Sequence, residues 1–171
     1  MDNRIKLKIV QEATKYFMLY GIKSTSMDMV ATALHISKKT LYEIFPCKDE
    51  LLRNCVFFVL EKTKEKIADV ERYSDSSLEV IWGINDLLLQ EVISFCPAFY
   101  KDIKNFQDIM NAVYNELKVF IYDTLLIACN RAVKEAHIIQ DYNFEFLFSF
   151  FENSLYAFYL SRNTPPESQV K

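Results

Sequence analysis

Apolar residues recur at helical spacing from the start of the chain, with Ile5, Ile9, Ala13, Tyr16, Phe17 and Tyr20 on one stripe. Gly21 stands where a helix commonly ends on a left-handed residue, so a first helix is predicted over residues 3–20. In the segment that follows, Ser26 or Thr25 can cap a second helix, and Thr25 with Asp28 three positions on has the form of a capping box. That helix is predicted over 27–34, with His35 and Ile36 as a tight turn. Ser37 suits the N-cap of a third helix over 38–45, which Pro46 stops. A fourth opens at Lys48-Asp49-Glu50, where acidic groups suit the positive end of a helix, and continues to residue 72.

The polar stretch 73–77 reads as a joint, and a fifth helix is predicted over 77–95. Pro97 begins a short helix, and a long one follows with Phe106, Met110, Val113, Leu117, Phe120, Leu125, Ala128 and Ala132 on one stripe. Residues 137–142 make another joint before a last helix over 144–162, and the tail from Asn163 is expected to fray. Gly is confined to positions 21 and 83 and Pro to 46, 97, 165 and 166, and no alternating strand pattern is bounded by turn residues. The fold class is therefore all-α.

Composition narrows the class further. With 51% hydrophobic residues in a chain of 171, general disorder is excluded. The N-terminus is amphipathic rather than a basic run before an apolar block, and no apolar stretch is long enough to span a membrane. The expectation is a cytoplasmic protein with no membrane partner. Cys47, Cys55, Cys96 and Cys129 are scattered without metal-ligand spacing and read as reduced structural thiols, so neither metal nor cofactor is expected.

The net charge of −3 does not advertise a polyanion partner, but its distribution is uneven. Residues 1–50 hold eight Lys/Arg against six Asp/Glu, and residues 51–171 hold twelve against seventeen. A mildly basic head on an acidic body suits a chain that meets nucleic acid at one end. Within the head, two short helices joined by a tight turn, with hydroxyls and lysines opening the second, describe a helix-turn-helix. In that motif the second helix enters the major groove and its first residues reach base edges and phosphates.

The stretch from Ile5 to Leu52 resembles the DNA-binding domain of TetR-type transcriptional regulators. The resemblance rests on Ala13, Phe17 and Gly21, on Thr25, Ser26, Met27, Val30 and Ala31, and on Ile36-Ser37-Lys38-Lys39-Thr40-Leu41-Tyr42 with Phe45-Pro46 and Lys48-Asp49-Glu50-Leu51. Departures are His35 where the family usually has a turn glycine that favours positive φ, Met29 for a usual acid, Ile44 for a second aromatic, and Cys47 for a usual serine. The resemblance implies an N-terminal helix-turn-helix DNA-binding domain, residues 1–47, and a C-terminal helical effector-binding and dimerisation domain, residues 48–171. It implies a homodimeric repressor of a palindromic operator in double-stranded DNA, released by a small, largely apolar or aromatic effector.

By that resemblance Ser37, Lys38, Lys39, Thr40 and Tyr42 contact DNA, Thr25 and Ser26 add capping and phosphate contact, and Lys48 meets a phosphate. Candidates for the effector site are Trp82, Asn85, Asp86, Leu89, Phe99, Tyr100, Phe106, Met110 and Tyr114, although aromatics at helical spacing equally serve a core. Residues 141–160 hold nine aromatics in twenty positions, so this helix must bury more than one side. A dimer interface is expected through Phe144, Phe148, Phe151, Leu155 and Phe158 or their neighbours. The family commonly closes its dimer with two long C-terminal helices. Here one such helix either carries the interface alone or is followed by more chain. An enzyme is the alternative class, but it lacks support. The two histidines, His35 and His137, lie in different segments, and no catalytic residue stands out beside a phosphate loop, HExxH or GxSxG pattern. A helix-turn-helix relic that binds protein rather than DNA is disfavoured by the intact Ser37-Lys38-Lys39-Thr40 and Tyr42.

Overall fold

Eight helices, and no strand, make up the regular structure of residues 3–163, the part that the computed structural model describes. They are α1 Asn3–Tyr20, α2 Met27–Ala33, α3 Lys38–Ile44, α4 Lys48–Tyr73, α5 Ser77–Ser94, α6 Pro97–Ile103, α7 Gln107–Lys134 and α8 Phe144–Asn163. The tail expected to fray lies outside the described residues beyond Asn163. The helix ends follow their chemistry. Gly21 ends α1 at φ +85, a conformation that costs an L-residue with a Cβ. Pro97 opens α6 at its first turn, where its missing N–H leaves nothing unpaired. One cap differs from the expected pattern. Ser26, not Thr25, caps α2, its side chain accepting the Met29 N–H at 3.1 Å. Thr25 is buried and donates to the Gly21 carbonyl at 2.8 Å, because its position faces the core.

The chain divides into two compact units that are not sequential blocks. The first combines Met1–Glu61 with Ser94–Val113, so it takes in more chain than the division at residue 47 expected from sequence. Its core joins Ile9, Ala13 and Phe17 of α1 to Val30, Leu41, Phe45, Leu51 and Leu52, with Phe99 and Ile103 supplied by α6. The Cys96 N–H donates to the Met18 carbonyl at 2.8 Å, and a Cβ on Gly21 would lie 2.9 Å from that of Ala98. Cys55 is sealed in this core, its Sγ 3.5 Å from the Val10 carbonyl, and burial pushes its thiol up to about 12.

The second unit comprises Lys62–Ile93 and Tyr114–Lys171. Its core is Ile67 of α4, Val80, Ile84 and Leu88 of α5, Ile121, Leu125 and Ala128 of α7, and Phe148 of α8. The start of α5 is capped from far along the chain. The Ser77 N–H and hydroxyl donate to the two carboxylate oxygens of Glu135 at 3.1 and 3.0 Å, and that backbone donor holds the Glu135 carboxyl below its usual range. Two phenols tie α7 to α8, with Tyr114 donating to Glu152 at 2.9 Å and Tyr122 to Glu145 at 2.5 Å. The Tyr122 ring also meets Phe144 and Phe148 edge-on at 5.0 and 4.9 Å.

Gly21→Ala is expected to destabilise the first unit by about 2 kcal/mol, the sum of a left-handed backbone with a Cβ and the contact with Ala98. A urea midpoint within error of the unsubstituted chain would show that neither constraint acts.

Candidate nucleic-acid interface

The turn between α2 and α3 fixes everything that α3 presents. Leu34 is the C-cap of α2, His35 follows at φ 54, and two crossed hydrogen bonds close the end. The His35 N–H donates to the Thr32 carbonyl at 3.1 Å and the Ile36 N–H to the Ala31 carbonyl at 3.0 Å. This is a Schellman ending with histidine in the left-handed place that glycine usually takes. The next residue, Ile36, is half-buried and turns the chain into α3. Ser37 then caps α3, its Oγ accepting the Thr40 N–H at 3.0 Å and lying 2.8 Å from the Thr40 hydroxyl.

In α3 the two faces separate cleanly. Leu41, and Phe45 at the C-cap, are fully buried, while Lys38, Lys39 and Tyr42 are exposed and Thr40 is half-buried. Lys38 pairs with Asp28 of α2 at 2.5 Å. Lys39 stands farther from its neighbour Glu43, at 3.9 Å, with 86% of its side chain exposed. Both pairs are exposed and worth little in water, so a phosphate oxygen can take either carboxylate's place. Ser26 is exposed at the start of α2, whereas the Thr25 hydroxyl is occupied inside the head.

Lys48 opens α4 and is half-buried. Desolvation lowers its pKa, against the charges of Asp102 and Asp49, which raise it. Sequence reasoning named the basic groups here but not their partners. Asp28 and Glu43 lie within reach of ordinary helix and turn geometry, but Asp102 is too far along the chain to leave a local signature.

The expected effector residues are drawn from both compact units. Phe99, Tyr100, Phe106 and Met110 belong to the first unit, and Trp82, Asn85, Asp86, Leu89 and Tyr114 to the second. Phe99 and Tyr100 are buried, Phe106, Met110, Asn85 and Leu89 half-buried, and Asp86, Tyr114 and Trp82 exposed, Trp82 to 70%. Phe99 lines an apolar cavity of about 10 Å³ with Thr14, Phe17, Leu52, Cys55, Val56, Val59 and Phe95. That is about the room of one water molecule. A larger cleft of about 310 Å³ is lined by Asp49, Glu50, Arg53, Phe106, Asp108 and Ile109, and an Arg53–Asp108 ion pair joins two of its lining residues.

Of the residues expected at a dimer interface, Phe148 is buried in the second unit's own core and Phe144, Phe151 and Leu155 pack against it, while Phe158 is half-buried. The aromatics that α8 leaves exposed are different ones, including Phe146 at 68% and Phe150 at 70%. The aromatic pattern alone did not distinguish the two faces, because both are apolar.

Comparison with known proteins bears on the family and the fold. The family model for bacterial regulatory proteins of the tetR family matches residues 9–55, which run from α1 into α4. An uncharacterized HTH-type transcriptional regulator of Bacillus subtilis (strain 168), YhgD, is 38% identical over 103 residues, 60% of this chain and 52% of that protein. The chain thus spans about half the length of this relative. A TetR transcriptional regulator from Legionella pneumophila is similar in structure at a TM-score of 0.68 and 18% identity, covering 95% of this chain and 88% of that one. A cysteine-substituted TetR family regulator, CifR, complexed with a 26-base-pair operator DNA, gives a TM-score of 0.64 at 20% identity, covering 94% and 88%. At such identities the structural likeness speaks for the fold.

Position 35 offers a direct check on the turn. His35→Gly should leave stability unchanged or raise it by up to about 1 kcal/mol, since glycine enters the left-handed region freely but loses more entropy on folding. His35→Val should lower stability by more than about 1 kcal/mol, because a β-branched residue resists that backbone. Equal thermal midpoints for the two variants would contradict the turn geometry.

Proposed function

We propose that this chain is a regulator of the tetR family type, whose family model matches residues 9–55, and that it is a sequence-specific DNA-binding transcriptional regulator acting as a homodimeric repressor. The family is one of regulators rather than enzymes. The observation that carries the reading is α3 itself. It is capped by Ser37 and anchored by Leu41 and Phe45, and it presents Lys39 and Tyr42 to solvent on the side away from the core. In that arrangement Lys38, Lys39, Thr40 and Tyr42 meet base edges and phosphates, with Ser26, Ser37 and Lys48 as flanking phosphate contacts. No helix among the described residues is long and apolar enough to cross a membrane.

Release by a small, largely apolar or aromatic effector completes the proposal. The apolar cavity beside Phe17, Leu52, Phe95 and Phe99 supports it in chemistry but not in size. An effector of ordinary dimensions has to open that space, so binding and a displacement of Phe99 on α6 would be one event. For the two-fold contact we favour the stripe through Phe146 and Phe150, since their exposure supports a partner and the residues on the opposite side pack on their own core.

Selection from a random duplex pool at moderate salt is expected to enrich an inverted repeat, and enrichment of nothing would overturn the regulator reading. Lys39→Ala should weaken binding to the enriched site and make the slope of log affinity against log salt shallower by about 1, the share of one phosphate contact. Tyr42→Ala should weaken it with little change in slope. The double change Phe146→Glu, Phe150→Glu should give a folded monomer in sedimentation, and a dimer that survives it would place the interface elsewhere.

A further inference from the structure

Asp102 is a charged side chain that the interface described above does not use. It lies on α6 and is only 5% exposed, although a buried carboxylate is unfavourable unless its oxygens are well partnered. Its partner lies at the entrance of the helix-turn-helix. Oδ2 accepts the backbone N–H of Lys23 at 2.7 Å, and Oδ1 lies 3.8 Å from the Lys23 ammonium. Lys23 is in the turn that leads into α2, three residues before the Ser26 cap. On the far side of the motif, Lys48 feels the same carboxylate at the first position of α4. The supporting helix is itself fixed to α1, through the Cys96 N–H on the Met18 carbonyl and the close approach of Ala98 to Gly21.

We propose that Asp102 is a positioning residue for DNA recognition, a buried clamp on α6 that holds the entrance of the helix-turn-helix at Lys23. The proposal rests on the regulator reading above. The motif beyond Lys23 consists of two seven-residue helices, too short to hold their own relative placement. The clamp therefore sets how rigidly α3 is presented. It also lends Lys48 a negative neighbour, which tempers non-specific attraction to phosphate. Specific recognition needs the fixed geometry, whereas non-specific binding needs only charge. Loss of the carboxylate separates the two.

The test is Asp102→Asn, which keeps the shape and removes the charge. Affinity is measured for the selected operator and for a scrambled duplex of equal length, across a salt series, at a temperature where circular dichroism shows the variant folded. The expected result is a fall of about tenfold in the ratio of specific to non-specific affinity, the size of one charged hydrogen bond, with scrambled-duplex binding equal or tighter. An unchanged ratio beside a lowered thermal midpoint would make Asp102 a stability residue only and overturn the proposal. If the unsubstituted chain itself selects no operator, the regulator reading fails and this one falls with it. Should the variant not fold, amide exchange on the unsubstituted chain bound to operator decides. A slowed Lys23 N–H is expected, and exchange at the rate of an open turn would show that the clamp is absent from the bound form.

Discussion

A seven-residue helix has no independent stability, and the proposed contacts of Lys38, Lys39, Thr40 and Tyr42 with DNA all hang on one. What holds α3 is the complete burial of Leu41 and Phe45 among residues of the first unit's core. Those two side chains fix the rotation of α3 about its axis, and the rotation decides that Lys39 and Tyr42 face outward. The cap at Ser37 and the left-handed turn at His35 fix where the helix begins. Burial of each large apolar side chain contributes about 2 kcal/mol, more than the exposed ion pairs on the same helix can supply. The basic surface is thus a product of the core beneath it. The acids beside its lysines, Asp28 and Glu43, tune it without supporting it.

Much of this was legible in the sequence, and the reason is locality. Gly21, Ser37, Pro46 and Pro97 punctuate the chain through their own backbone chemistry, so most helix limits could be read to within a residue or two, the end of α6 at Ile103 rather than Phe106 being an exception. The motif of α2 and α3 was legible for the same reason, its turn and caps all lying within a short window. What escaped is non-local. Glu135 caps Ser77 across 58 positions, and Asp102 meets Lys23 across 79. Neither carboxylate differs in its immediate surroundings from an ordinary solvent-facing acid on a helix. The placing of α6 is non-local as well, because it returns to the first unit after α5 has contributed to the second.

The last helix shows a different limit. Periodicity finds a buried face by contrast with a polar one, and α8 offers little contrast. Phe148 and Phe146 are two residues apart, yet one is enclosed and the other largely open. The choice is made by Ile121, Leu125 and Ala128 of α7, which supply the surface that Phe148 fills, and the sequence of α8 contains no trace of them.

The two phenol–carboxylate contacts between α7 and α8 act as a ruler. Tyr114 and Tyr122 are eight residues apart and their acceptors, Glu152 and Glu145, seven, spacings of about 12 and 10.5 Å along antiparallel partners. A slide of one helical turn, about 5.4 Å, would carry both phenols away from their acids together. Displacing α8 is therefore an all-or-none step rather than a gradual drift. The height at which Phe146 and Phe150 stand is set by hydrogen bonds that neither ring makes.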